Sequence, residues 1–397
     1  MVHRLPEEQR SLIELIEGFA RTAVAPSAAE WERRAEFPRP LFDQLAAMDA
    51  TGLPFSAEVG GSELPYRTYL MVLEELSRAS LALGMGLSVH GLATWGIDRF
   101  ATPDQRSRFV PDLVAGRALG AYSLSEPGSG SDAVAMTTRA RRDGDVYRLD
   151  GVKAWVTHGG VADRYLVMAR TGDTGTARDI SAFVVDADQQ GLAPAAPEHK
   201  LGLMASPTSQ LVFDDAVVPA DRLLGGAEGR GFEVAMASLD GGRLGIAACA
   251  TGLAQAALDV ALAYAREREQ FGRPIVEHQG LAFLLADMAT RTEASRALTL
   301  SAADRRDHSA GVGEYAATGG AGYATTKVAA MAKLFATDAT MQTTTDAVQV
   351  LGGAGYTTDF PVERYLREAK VLQIVEGTNQ IQRLVIGRQL AGGGRRS

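Results

Sequence analysis

A single cysteine, Cys249, stands in 397 residues. That excludes a disulfide framework and a thiolate metal site, and its Ala-rich apolar surroundings suit a small core residue. The six histidines, at 3, 90, 158, 199, 278 and 308, share no metal-ligand spacing, so no metal is expected. Excess positive charge is absent too. The formal net charge is −8, which argues against nonspecific binding to nucleic acid or a membrane surface. Any polyanionic ligand must therefore be met by local basic groups. Long hydrophobic runs are also missing. The N-terminus turns acidic at Glu7 and Glu8 and has no signal-peptide core. The longest weakly polar stretch, 244–265, is Ala-rich and broken by Gln255 and Asp259; it reads as a buried helix, not a membrane span. What remains is a globular composition, 46% hydrophobic and 22% charged, expected to be cytoplasmic. Its length suits two or three domains.

The pattern along the chain changes twice. Residues 1–118 read as helical, with Leu12, Leu15, Ile16 and Phe19 at helical spacing and similar patterns at 69–81 and 103–113. Pro54, Pro65 and several glycines punctuate the links. From 119 to 228 the pattern alternates. The runs 146–149 and 152–156 flank Asp150-Gly151, which predicts a hairpin there. Further strands are expected at 165–168, 180–185 and 210–213. From 229 to 397 long helical patterns return. The order α, β, α predicts three domains rather than a doubly wound sheet. The glycine-rich residues 308–324 read as an extended loop. Within them Gly311-Val312-Gly313 mimics a dinucleotide fingerprint, but no strand precedes it.

Four segments carry candidate chemistry. In Ala121-Tyr122-Ser123-Leu124-Ser125-Glu126-Pro127-Gly128-Ser129-Gly130-Ser131-Asp132, hydroxyls and backbone N–H groups could meet a polar ring; a helix-capping linker would look similar. In Trp155-Val156-Thr157-His158, alternation puts an indole and a hydroxyl on one face. That pair suits a flat heteroaromatic ligand or a sandwich core. In Arg266-Glu267-Arg268-Glu269-Gln270-Phe271-Gly272-Arg273-Pro274, Arg268 offers a planar fork to a pyrophosphate, or simply a charged helix end. In Gln349-Val350-Leu351-Gly352-Gly353-Ala354-Gly355-Tyr356, small residues permit close backbone approach. Beside them stands Glu376, in Ile374-Val375-Glu376-Gly377-Thr378-Asn379-Gln380. Its apolar neighbours would desolvate the acid and make it a better base; the plain alternative is a solvated glutamate near a helix end.

Together, in this order, these segments resemble the acyl-CoA dehydrogenase family of flavoproteins over nearly the whole chain. The resemblance rests on Glu126-Pro127-Gly128-Ser129-Gly130-Ser131-Asp132, on Gln270-Phe271-Gly272, and on the stretch from Gln349 through Pro361-Val362-Glu363-Arg364 to Glu376-Gly377-Thr378 and Gln380-Ile381-Gln382-Arg383. It implies a mainly α protein with a β domain: a helical N-terminal domain, a central β-barrel or sandwich, and a C-terminal four-helix bundle. It implies FAD as cofactor. Tyr122, Leu124 and Ser125 match positions lining the flavin, Trp155 and Thr157 flank its ring, and Ser131 lies where cofactor and substrate meet. Arg268, Gln270, Phe271, His278, Gln279, Gln349, Gly352 and Gly353 match groups holding the ADP half from a neighbouring subunit; Thr378 and Gln380 match further FAD contacts. Asp240 and Arg243 match residues facing the CoA thioester, and Gly377 follows the base.

Glu376 matches the catalytic base, which removes the Cα proton of an acyl thioester as the β-hydrogen leaves as hydride. The oxyanion is held there by the base's own backbone N–H and a cofactor hydroxyl. Relatives that place the base elsewhere put it where this chain has Gly242, so Gly242→Glu is expected to restore part of the rate lost in Glu376→Gln. Two features depart from the family pattern: Met204 stands at a common arginine position, and the 308–324 segment is longer. The implied activity is α,β-dehydrogenation of an acyl-CoA, or an acyl-carrier thioester, with a short or branched chain preferred. Electrons pass to an electron-transfer flavoprotein, and the assembly is a homotetramer. The alternatives are a flavin monooxygenase or oxidase on the same fold, which Glu376 opposes, and a noncatalytic FAD-binding scaffold. Trp95, in the helix around 88–95, either floors the acyl pocket or fills the core.

Overall fold

The computed structural model describes residues 5–310 and 323–391. Six helices come first: α1 (Glu7–Phe19), α2 (Ala28–Arg34), α3 (Arg39–Ala47), α4 (Tyr66–Ala79), α5 (Leu81–Phe100) and α6 (Pro103–Val114). α5 is apolar nearly all round and almost wholly buried, as a helix wrapped by others must be. α6 starts where its sequence dictates. Thr102 and Gln105 exchange side-chain and backbone hydrogen bonds at 3.1 and 3.2 Å, with Pro103 next in line.

The strands β1 (Gly120–Ser123), β2 (Arg139–Asp143), β3 (Val146–Thr157), β4 (Arg164–Arg170), β5 (Ile180–Asp186), β6 (Leu192–Pro194) and β7 (Thr208–Pro219) follow. They form one curled sheet in the order β1-β4-β2-β3-β7-β6, with β5 also on β4. The expected hairpin at Asp150-Gly151 is not there. β3 runs straight through it, and the turn joins β2 to β3 at Gly144 instead. Asp150-Gly151 forms a bulge, marked by the register shift between Leu149 and Gly151 against β7. Aspartate and glycine serve either structure, because both need an unusual backbone and a local acceptor. Here Asp150 accepts the Asp215 N–H at 3.0 Å. A Cβ at Gly151 would stand 2.6 Å from Thr138 Oγ1.

The last third is helical: α7 (Gly231–Glu267), α8 (Gln279–Ala310), α9 (Tyr323–Leu351), α10 (Val362–Leu372) and α11 (Asn379–Leu390), with the short ribbon β8 (Glu269–Gln270) and β9 (Arg273–Pro274) after α7. α7 to α10 make the expected bundle, and α11 lies against α9. α7 is long and apolar enough to cross a membrane by length and composition, but most of that stretch is buried between α4, α5, α8 and α9. Cys249 is fully buried on it. The turn around Met204 is fixed by Glu32 of α2, which accepts the Met204 and Ala205 N–H groups at 2.8 and 2.9 Å. The turn therefore holds without a cation at 204. Of the expected 308–324 loop, α8 takes the start and α9 the end; residues 311–322, with the rejected fingerprint, lie outside the described residues.

Candidate active site

Glu376 sits in the turn between α10 and α11 at φ 52°. A left-handed conformation costs a non-glycine residue roughly 1–2 kcal/mol, so neighbouring bonds must hold it. Lys333 of α9, fully buried, donates to the Gly377 carbonyl at 3.0 Å and to Asn379 Oδ1 at 2.9 Å. Gln382 Nε2 donates to the carbonyls of Glu376 and Gly377 at 3.2 and 2.9 Å. Gly377 has φ 90° and lies so near Gln382 that a Cβ would meet its Nε2 at 2.8 Å. Thr378 caps α11 by accepting the Ile381 N–H at 3.3 Å.

This turn lays the Glu376 side chain on α7. A Cβ at Gly242 would fall 1.7 Å from Glu376 Oε2 and 2.8 Å from Leu92 Cδ1. The missing side chain at 242 therefore makes the room that the carboxylate fills. Both carboxylate oxygens are sealed from solvent, and neither has a hydrogen-bond partner. The residue as a whole is only half-buried; its reactive end is the sealed part. Burial pushes the carboxyl up to about 8, against the pull of Lys333 and Arg243. Buried polar atoms are almost always paired, so a bare carboxylate marks a place kept for a ligand.

Gly242 also lines a narrow cavity between α4, α5 and α7. Tyr66, Tyr69, Ser88, Leu92 and Trp95 line it as well. Trp95 packs edge-on to Phe100 at 6.3 Å, and the buried Arg306 lies over its ring at 5.7 Å. The tryptophan is thus both cavity wall and packing residue. Next to Gly242 on α7, Arg243 is buried and ion-paired with Asp240, whose other oxygen accepts the Thr326 hydroxyl at 2.7 Å.

A second group meets at the edge of the sheet. Lys153, fully buried in β3, donates to the Leu124 carbonyl at 3.0 Å and to Glu126 at 2.9 Å. Glu126 also accepts from the Thr137 and Thr138 N–H groups at 2.6 and 2.9 Å. These donors hold its carboxyl down at about 2 despite burial. The pair staples the Tyr122–Ser125 segment to β3, and the Ala154 N–H adds a bond to the Ser125 carbonyl at 2.8 Å. Two residues on, Trp155 bulges out at φ 59° and is 62% exposed, with Thr157 half-buried on the same side. Tyr122 reaches α7 through its hydroxyl, which donates to the Ala235 carbonyl at 3.1 Å. Ser125 is half-buried and Ser131 exposed; Leu124 is buried.

A third group stands apart. Arg268, Gln270, Gln279, Gln349, Gly352 and Gly353 are exposed, and Phe271 is 94% exposed. His278 Nε2 is 3.0 Å from the Gln270 carbonyl. Gln380 is exposed and Thr378 half-buried beside the base. Among the described residues no hydrogen bond, ion pair or ring contact joins the Arg268–Gln279 ribbon to the base or to the sheet edge. Sequence reasoning missed Lys333, Gln382 and the Glu126–Lys153 pair. A lone lysine within the apolar run 328–336 was the available signal for the first.

Three matched models cover this architecture in order: the acyl-CoA dehydrogenase N-terminal domain over 6–117, the middle domain over 121–216, and the C-terminal domain over 229–391. The chain belongs to the acyl-CoA dehydrogenase family. It is 44% identical to an acyl-CoA dehydrogenase of Bacillus subtilis, over 98% of this chain and 99% of that one. Butyryl-CoA dehydrogenase of Megasphaera elsdenii superposes with a TM-score of 0.92 at 37% identity, covering 98% and 99% of the two chains. A solved structure described as the electron transferring flavoprotein of Acidaminococcus fermentans gives 0.92 at 40%, covering 98% of each. As a member of this family the protein is an oxidoreductase, and FAD is its cofactor. The residues fit a flat redox cofactor: an exposed indole and a hydroxyl on a bulged strand, beside a loop pinned by a buried ion pair.

Proposed function

We propose that the protein dehydrogenates a short or branched acyl-CoA at its α,β bond, with Glu376 as the base. One observation carries this reading: a sealed carboxylate without partners, seated over Gly242 at a small cavity. The Glu376 carboxylate takes the Cα proton as the α,β double bond forms. Its backbone N–H has no acceptor among the described residues, which leaves it for the thioester oxygen. A base held near the working pH suits this transfer. Tyr122, Leu124, Ser125, Trp155 and Thr157 would hold the flavin end of FAD, with Thr378 and Gln380 nearby. When bound, FAD supplies the acceptor for the hydride that leaves Cβ. Arg243 and Asp240 would orient the thioester arm, and Ser131 would stand where cofactor and substrate meet. The cavity is narrow and walled by Tyr66, Tyr69 and Trp95, and butyryl-CoA dehydrogenase is among the similar structures. Steady-state rates across acyl-CoA thioesters of rising length and branching test it: a C4 or branched optimum supports the reading, a C12 or longer optimum contradicts it. Trp95→Ala should move that optimum towards longer chains by widening the cavity wall.

The exposed third group supports a homotetramer. Phe271 and Tyr356 are 94% and 87% exposed, and a neighbouring subunit would cover them. In a homotetramer, Arg268, Gln270, Phe271, His278, Gln279, Gln349, Gly352 and Gly353 would close over the ADP half of a neighbouring subunit's FAD. Reoxidation would be by an electron-transfer flavoprotein. Light scattering of flavin-loaded protein should give four chains per particle and one FAD per chain. A monomer with full FAD would contradict the shared site.

A further inference from the structure

Lys333 has no place in the family comparison or in the proton transfer above, yet it is a buried cation beside the base, with a stronger pull on it than Arg243. It is the only charged residue in 328–336. Its side chain is fully enclosed, and both of its acceptors belong to the segment that carries Glu376: the Gly377 carbonyl at 3.0 Å and Asn379 Oδ1 at 2.9 Å. Asn379 is held in turn by Asp338 Oδ1 at 2.7 Å and by the Thr337 hydroxyl at 2.9 Å. The lysine thus ties α9 to a turn that would otherwise relax from its left-handed backbone. Burying an ammonium is costly unless it is paired. Two neutral acceptors offset that cost only in part, and the opposite charges nearby are Glu376 first and then Asp338.

We infer that Lys333 is a positioning residue for Glu376: its ammonium fixes the turn that bears the base and supplies a buried cation to the carboxylate. This rests on Glu376 being the base. The groups that interact electrostatically with Glu376 are Lys333 of α9, Arg243 and Cys249 of α7, Tyr66 and Tyr69 of α4, and Tyr122 of β1. Burial pushes Tyr66 and Cys249 up to about 12 and the other two tyrosines well above 10, so none of the four is charged near neutrality. Arg243 is already paired with Asp240. Burial lowers Lys333 to about 7 while Glu376 and Asp338 pull it back up, so the ammonium and the Glu376 carboxylate favour each other's charge and ionise as a pair. Removing Lys333 leaves Glu376 harder to ionise, so the pH at which the base becomes active must rise.

The test is the pH profile of flavin reduction by butyryl-CoA under anaerobic conditions, with flavin-loaded wild type, Lys333→Met, Lys333→Arg, Gln382→Leu and Glu376→Gln. Lys333→Met should slow reduction at neutral pH by up to roughly 10²-fold, the cost of a misplaced group. Its acid limb should move up by roughly one pH unit or more. Lys333→Arg should keep the limb near its wild-type place. Gln382→Leu, which removes a neutral donor to the Glu376 and Gly377 carbonyls, should slow reduction and leave the limb unmoved. If Lys333→Met does not fold, Lys333→Gln retains an N–H donor without charge and must still raise the limb. A lysine that merely stabilised the fold would lower FAD content or melting temperature and move no limb. An uncharged variant with a wild-type limb and rate overturns the inference while the base reading stands. Wild-type reduction by Glu376→Gln overturns both.

Discussion

Replacing Glu376 by glutamine is expected to abolish turnover while FAD and acyl-CoA still bind. The amide keeps the shape of the side chain that fills the gap over Gly242 and removes only the proton acceptor. General bases typically contribute roughly 10²–10⁴-fold, and among the described residues no other carboxylate lines the cavity at Gly242. Steady-state dehydrogenation should fall by at least roughly 10² for that reason, with the substrate's Kd unchanged within about threefold. Glu376→Asp should keep a fraction of the rate, its carboxylate one methylene short. The same change should stabilise the protein. An acid whose folded value is raised to about 8 contributes stability that is complete below about 4.5, its usual value. That contribution is lost as pH rises towards 8, because the unfolded chain ionises and the folded chain resists. The slope is roughly 1.4 kcal/mol per pH unit across the window. Glutamine does not titrate, so the melting temperature of Glu376→Gln should exceed the wild type by more at pH 8 than at pH 5. A constant gap would mean that the carboxyl is not buried as described.

Gly242→Ala should be nearly as damaging, although alanine is the better helix former. Its Cβ would lie 1.7 Å from Glu376 Oε2 and 2.6 Å from Cδ. Real contacts are never so short, so the carboxylate must leave its place. Displacement of a catalytic group by about 1 Å can cost roughly 10²-fold. FAD content should be normal and turnover lost. The same geometry corrects the rescue expected from sequence. Gly242→Glu added to Glu376→Gln would drive two side chains into one space, so it should rescue nothing. Gly242→Glu combined with Glu376→Gly vacates that space first. This pair should recover measurable turnover over Glu376→Gly alone, checked by steady-state rates with butyryl-CoA. Recovery by the glutamine pair instead would show that Gly242 and Glu376 do not compete for one position.

The order of helical, alternating and helical patterns was legible because periodicity follows from which faces are buried. The long α7 was legible as a buried helix, since alanines and glycines dominate it and polar residues such as Gln255 and Asp259 are few. The bulge at Asp150-Gly151 was not, because a two-residue turn and a bulge ask for the same residues, and only the β7 partner decides between them. Glu376 was legible from its apolar flanks and following glycine. Its proximity to Gly242 is a long-range fact of packing, 134 positions apart in the chain. Lys333 and Lys153 look like surface lysines until the acceptors that bury them, Gly377, Asn379, Leu124 and Glu126, are brought in from other segments.

The most direct test is anaerobic stopped-flow mixing of flavin-loaded protein with butyryl-CoA, following flavin absorbance and the enoyl thioester formed. Wild type should bleach its flavin and yield one trans-2-enoyl-CoA per flavin reduced. Glu376→Gln, with the same FAD content, should bleach at least roughly 10²-fold more slowly. Bleaching by that variant at more than about a tenth of the wild-type rate, below the usual contribution of a general base, would contradict Glu376 as the base. Bleaching by wild type without an enoyl product would contradict the reaction itself.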